Sequence, residues 1–143
     1  MRVRITIASL MVLLAVATAW AGQLGVRVLN TESLQFGDAR GRVEAPMVIT
    51  DPDSLAEAVG NRETADNVNS QVDFAKENVL YFKWFGSGED RFQAYTTQTD
   101  QGIQVNFVMT PGMSLELRPH HHLFAVPKDT SWRIDVILTG ADK

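Results

Sequence analysis

The chain has 143 residues, 17 of them acidic and 13 basic, a formal net charge of −4 and no cysteine. Without cysteine there is no disulfide, no zinc–thiolate site and no thiol nucleophile. An acidic balance with no basic run argues against nucleic acid, whose phosphates demand clustered Lys and Arg, and against charge-driven binding to anionic lipid.

Residues 1–4 carry two arginines, residues 5–16 are apolar apart from Thr6 and Ser9, and Ala19-Trp20-Ala21 precedes Gly22. A charged start, an apolar run and an A-x-A site predict a signal peptide over residues 1–21. The apolar run is about 12 residues, short of the ~20 that a helix needs to cross a bilayer. The processed chain is therefore expected in the periplasm or outside the cell, with no stable membrane anchor.

Residues 22–41 hold one short strand-like run, Gly25-Val26-Arg27-Val28-Leu29, within a Gly-, Asp- and Asn-containing stretch. They read as a flexible lead-in to a single β-rich domain over residues 42–143. Residues 43–49 are apolar apart from Glu44 but contain Pro46, which fits an edge or irregular strand. A short helix follows. Asp51 is placed to cap, Pro52 suits the first helical position, Asp53 favours the positive end of the dipole, and Gly60 can end the helix in the left-handed region. Polar residues 61–70 read as a loop.

The rest reads as strands. Residues 78–85, Asn-Val-Leu-Tyr-Phe-Lys-Trp-Phe, are apolar on both faces and predict a central strand covered on both sides, with Trp84 in the core. Gly86-Ser87-Gly88-Glu89-Asp90 reads as a β-hairpin loop. In residues 91–97, Phe92 and Ala94 lie opposite Gln93 and Tyr95. Thr99-Asp100-Gln101-Gly102 is a turn. Ile103, Val105, Phe107 and Met109 alternate with Gln104 and Asn106. After Thr110-Pro111-Gly112, Leu115 and Leu117 alternate with Ser114, Glu116 and Arg118. Residues 122–126 form a separate short apolar run, and Trp132, Ile134, Val136 and Leu138 form the last strand. The expected fold is mainly β, an antiparallel sandwich or open barrel of six or seven short strands with one short helix near its start.

Val72-Asp73-Phe74-Ala75-Lys76 follows the helix and leads into a core strand that ends in glycine. His122-Leu123-Phe124-Ala125-Val126-Pro127-Lys128 comes much later. This order over residues 47–128 resembles the PrcB C-terminal domain family, small exported bacterial β-rich domains named after an accessory subunit of a protease complex. The chain departs from the family's Gly-Gly-Tyr-like turn, reading Gly86-Ser87-Gly88-Glu89-Asp90 instead. The resemblance implies an interaction module with a protein partner, and carries no catalytic residue.

The candidate chemical sites are few. His120, His121 and His122 are metal-ligand types, and on a strand His120 and His122 share a face while His121 points away. Two imidazoles leave a zinc ion half-coordinated, so Glu116, Glu89 or Asp90 would have to complete the set. An envelope metal-binding protein or metal-assisted hydrolase built on this cluster is the alternative to an interaction module. A polar strand start after Pro119 is the simpler reading, with His121 at the surface. Ser87 lacks the G-x-S-x-G elbow of a hydrolase, Glu89 and Asp90 lack calcium-loop spacing, and no cofactor-binding motif occurs. Asp73 is expected to cap a turn or pair with Lys76. Trp132 is expected in the core with Trp84. No residue is assigned a catalytic, cofactor-binding or metal-ligating role.

Export is expected to remove residues 1–21. Intact mass of the protein recovered from the envelope or medium checks this: a mass starting at Gly22 supports it, and a full-length mass shows a retained anchor.

Overall fold

Among residues 25–137, which the computed structural model describes, the chain forms seven strands and two helices in the order β1 (Arg27–Val28), β2 (Met47–Ile49), α1 (Pro52–Val59), α2 (Arg62–Asn69), β3 (Glu77–Ser87), β4 (Arg91–Thr99), β5 (Gly102–Thr110), β6 (Leu117–Pro127) and β7 (Ser131–Val136). The expected signal peptide and Leu138 lie outside the described residues. One sheet runs β1-β6-β3-β2 and the other β4-β5-β7. They stack as an open sandwich with no closed barrel among the described residues, and the fold is mainly β as expected.

Strand β3 organises the layers because both of its faces are apolar. Leu80, Phe82 and Trp84 point toward the second sheet and pack with Val105, Phe107, Met109 and Phe124. Val79 and Tyr81 point the other way and pack with Leu55, Val59, Ala65 and Val68 of the two helices. The inter-sheet core is rich in rings. Phe82 meets Phe107 at 4.6 Å and Phe92 at 4.7 Å between centroids, in the tilted geometry that aromatic quadrupoles favour.

Several elements differ from expectation. The sandwich is not wholly antiparallel, because β5 and β7 pair in parallel with Phe107 opposite Ile134. The chain crosses to the other sheet through β6 and returns, so β7 enters from the same end as β5. There are two helices, not one. Residues 61–70, expected as a loop, form α2, capped by the Asn61 side chain, which accepts from Thr64 N at 3.0 Å. Its apolar signal is only Ala65 and Val68, three residues apart, too brief for periodicity to stand out. Helix α1 is as expected. Asp51 accepts from Ser54 N at 2.8 Å, and Gly60 closes the helix at φ 68°.

The described part of the lead-in is not loose. Val26 and Leu29 are buried, Leu29 N donates to Leu123 O at 3.0 Å, and Arg27 pairs with Glu77 at 2.8 Å. Residues 25–41 thus strap across the helical face, and the packed fold begins before residue 42. The 86–90 stretch is not a hairpin either. Its two flanking strands lie in different sheets, so Gly88, Glu89 and Asp90 form an arch from one layer to the other. Residues 117–127 make one continuous strand rather than two, with Pro119 inside it opposite Phe85. That proline is tolerated because β1 covers only Phe124 and Ala125, leaving the Pro119 stretch at the sheet edge among the described residues. Leu115, expected in a strand, lies in the loop before β6.

Trp84 is 1% exposed in the inter-sheet core, whereas Trp132 is half-buried at its margin. Trp84→Ala should therefore cost about 3–5 kcal/mol of stability. Glu57→Ala, on the open side of α1, should stay within about 0.5 kcal/mol. Urea unfolding of both variants checks this, and comparable losses would contradict the layer assignment.

Candidate functional site

The arch and the loop of residues 111–116 meet at one end of the sandwich, and a single buried carboxylate joins them. The side chain of Asp90, at the end of the arch, is 5% exposed. Its Oδ2 accepts from the Trp84 indole Nε1 at 2.8 Å and its Oδ1 accepts from Gly112 N at 2.8 Å. Gly112 is required there. A Cβ on it would lie 2.5 Å from the Glu89 carbonyl carbon and 2.8 Å from Asp90 N, closer than real Cβ atoms come. At the far end of the loop, Gly88 N donates to Glu116 O at 2.7 Å, and Arg118 donates back to Gly88 O at 2.7 Å. The loop is pinned at both ends to the arch.

What this fixed loop presents is apolar. Met113 is 87% exposed, Leu115 97% and Leu117 57%. Met113 and Leu117 line a cleft of about 630 Å³ together with Trp84, Met109, Phe85, Val136, Ser87 and Arg42, and Leu115 stands in the same loop as Met113. Phe85 and Val136 are themselves about half exposed. Several large apolar side chains thus surround one concavity, where scattered single exposures would be the ordinary condition of a surface.

The histidines sit beside this end on both faces of β6. His120 is buried and stacks on Trp84 at 4.6 Å between ring centroids; His122 stacks on the same indole at 5.1 Å. His121 points to the helical face, as alternation requires. It is not a free surface residue, however. It stacks on Phe36 at 4.6 Å and shares a 2.8 Å hydrogen bond with the Tyr81 hydroxyl. The strap of residues 25–41 covers it, which sequence alone did not reveal. Burial pushes the Tyr81 hydroxyl up to about 12. Burial also lowers His121, reinforced by the charges of Lys83 and His120, and takes His122 down to about 4 with help from His120 and His121.

Ser87, His120 and Asp90 come together, yet their geometry is not a nucleophile relay. His120 Nε2 donates to the Ser87 backbone carbonyl at 2.8 Å, which fixes the proton on that nitrogen. The Ser87 hydroxyl instead accepts from Glu89 N at 3.2 Å, and Asp90 Oδ2 lies 3.8 Å from the same Nε2 rather than orienting the other ring nitrogen. For the metal reading, His120 and His122 do share a face, 6.4 Å apart between centroids. Among the described residues no group of three or more His, Asp or Glu side chains is gathered to hold an ion. Glu89 and Glu116 are exposed, and the Asp90 carboxylate is taken up by Trp84 and Gly112. Asp73 caps the turn before β3 by accepting from Ala75 N and pairs with Lys76 at 3.4 Å.

No described helix is long and apolar enough to cross a membrane. Comparison with protein-family models, curated proteins and solved structures finds no match.

The low His122 value gives a pH dependence with a definite sign. The folded state disfavours protonation, so its contribution to stability is complete above the unfolded value of 6.5 and is lost as pH falls toward about 4. The unfolding midpoint should drop across that window. His122→Phe, which keeps a ring against Trp84 and cannot take a proton, should flatten the drop. Thermal melts of both proteins from neutral pH to pH 4 check this; identical slopes would show that His122 does not carry it.

Proposed function

We propose that this chain is an exported, non-enzymatic β-rich interaction module that serves as an accessory to an envelope or secreted protein complex. The observation that carries the reading is the rigid apolar end: Met113, Leu115 and Leu117 held in the open by a loop tied down at both ends. Exposing such side chains costs solubility, and a fixed loop offers them to a partner with little ordering entropy left to lose. A central apolar anchor beside a pocket, ringed by polar residues, is the usual form of an energetically dominant contact. The resemblance of residues 47–128 to the PrcB C-terminal domain family points the same way, to binding rather than chemistry. Export is supported by the signal-like residues 1–21.

A photo-reactive amino acid placed at Leu115 in living cells tests the reading. A discrete protein cross-link is expected there and not from Asp129, which lies at the opposite end of β6. Equal cross-linking from both positions, or none from Leu115, would contradict docking through this end.

A further inference from the structure

The apolar end carries charges that make it complementary to itself. In the first sheet the end of β3 has Leu117 of β6 on one side, opposite Ser87. On the other side lies the strap, whose Gly41 O accepts from Phe85 N at 3.1 Å. Glu116 directly precedes Leu117, and Arg42 directly follows Gly41. An acid and a base therefore flank the end of one strand on opposite sides, about two strand spacings or ~10 Å apart. Both are exposed, and neither side chain has a hydrogen-bond or ion-pair partner among the described residues. Arg42 lines the cleft, and Leu115 directly precedes Glu116.

We propose that the occupant of this end is a second copy of the chain, docked about a two-fold axis that passes through the end of β3. This rests on reading the apolar end as an interaction surface. A two-fold rotation there exchanges the two sides of the strand, so each Glu116 faces the other copy's Arg42 and each Leu115 enters the other copy's cleft. Apolar contact is then matched to two symmetric ion pairs, with no like charges of this pair opposed. The apolar part of the cleft lining, Trp84, Met109, Met113 and Val136, suits a leucine. A heterologous partner would have to supply both complementary charges by coincidence of its own surface, whereas a second copy already holds them.

Sedimentation velocity of the purified protein, from low to several hundred micromolar, tests this. The wild type should dimerise. Arg42→Glu and Glu116→Arg should each weaken the dimer about ten-fold or more, and the two together should restore it. Leu115→Asp should leave a monomer. Circular dichroism controls for folding, which none of these exposed positions should disturb. A wild type that stays monomeric overturns the proposal, as does a dimer indifferent to Leu115→Asp or a double variant no better than its parents. The outcomes separate from the docking reading itself. A monomer whose residue 115 cross-links a protein of different mass removes the dimer and leaves the docking surface; a monomer with no cross-link removes both.

Discussion

Strand β3 is buried on two sides, and the other layers are arranged by that fact. An eleven-residue strand with apolar side chains at successive positions cannot satisfy both faces with one partner sheet. One face takes the second sheet, and the other takes α1, α2 and the strap of residues 25–41. The three layers follow from one largely aromatic apolar run, Val79 to Phe85, broken only by Lys83. Its last turnings, Phe85 to Ser87, run beyond the helical cover, and there the molecule leaves apolar surface in the open.

The exposed end is held by polar means. Asp90 is taken from water and given the Trp84 indole and the Gly112 amide in exchange, so its burial is compensated. The same bonds set where the loop of residues 111–116 stands. Removing either partner would leave a buried polar group unmade, which costs about 1–3 kcal/mol. A surface of this kind is pre-organised. His120 and His122, which invite a metal reading, serve the same corner as rings laid on Trp84, and burial keeps His122 neutral at physiological pH.

Local signals in the chain were readable where they were strong and self-contained. The Asp51-Pro52 start and Gly60 stop of α1, the Asp100-Gln101 turn joining β4 to β5, and the alternation of Val105, Phe107 and Met109 each rest on a few neighbouring residues. Helix α2 is not legible in the sequence because Ala65 and Val68 give a single turn of apolar signal, and its cap, Asn61, looks like any loop asparagine. Of the strap, only the strand-like run at residues 25–29 is legible, and it forms β1 at Arg27–Val28; its packing is not, because the buried Val26, Leu29 and Ala39 are spaced without period and are chosen by the surface they cross. The alternation of Leu115 with Ser114 and Glu116 suggests a strand, but alternation cannot tell a residue paired in a sheet from one in an extended loop.

The sequence by itself determined the periodicities: which residues alternate, where the chain must turn, that β3 needs cover on both faces, and that His121 opposes its two neighbours. Each follows from backbone geometry acting over a handful of residues. Tertiary structure alone decided which strands share a sheet, and so that β5 and β7 run parallel and that residues 86–90 arch between layers. It also decided that Ser87, Asp90 and His120 meet at one corner without a relay, and that Arg42 and Glu116 flank the same strand end. Those pairings join residues tens of positions apart. Their partners are selected by the packing of whole faces, a property that no local window contains.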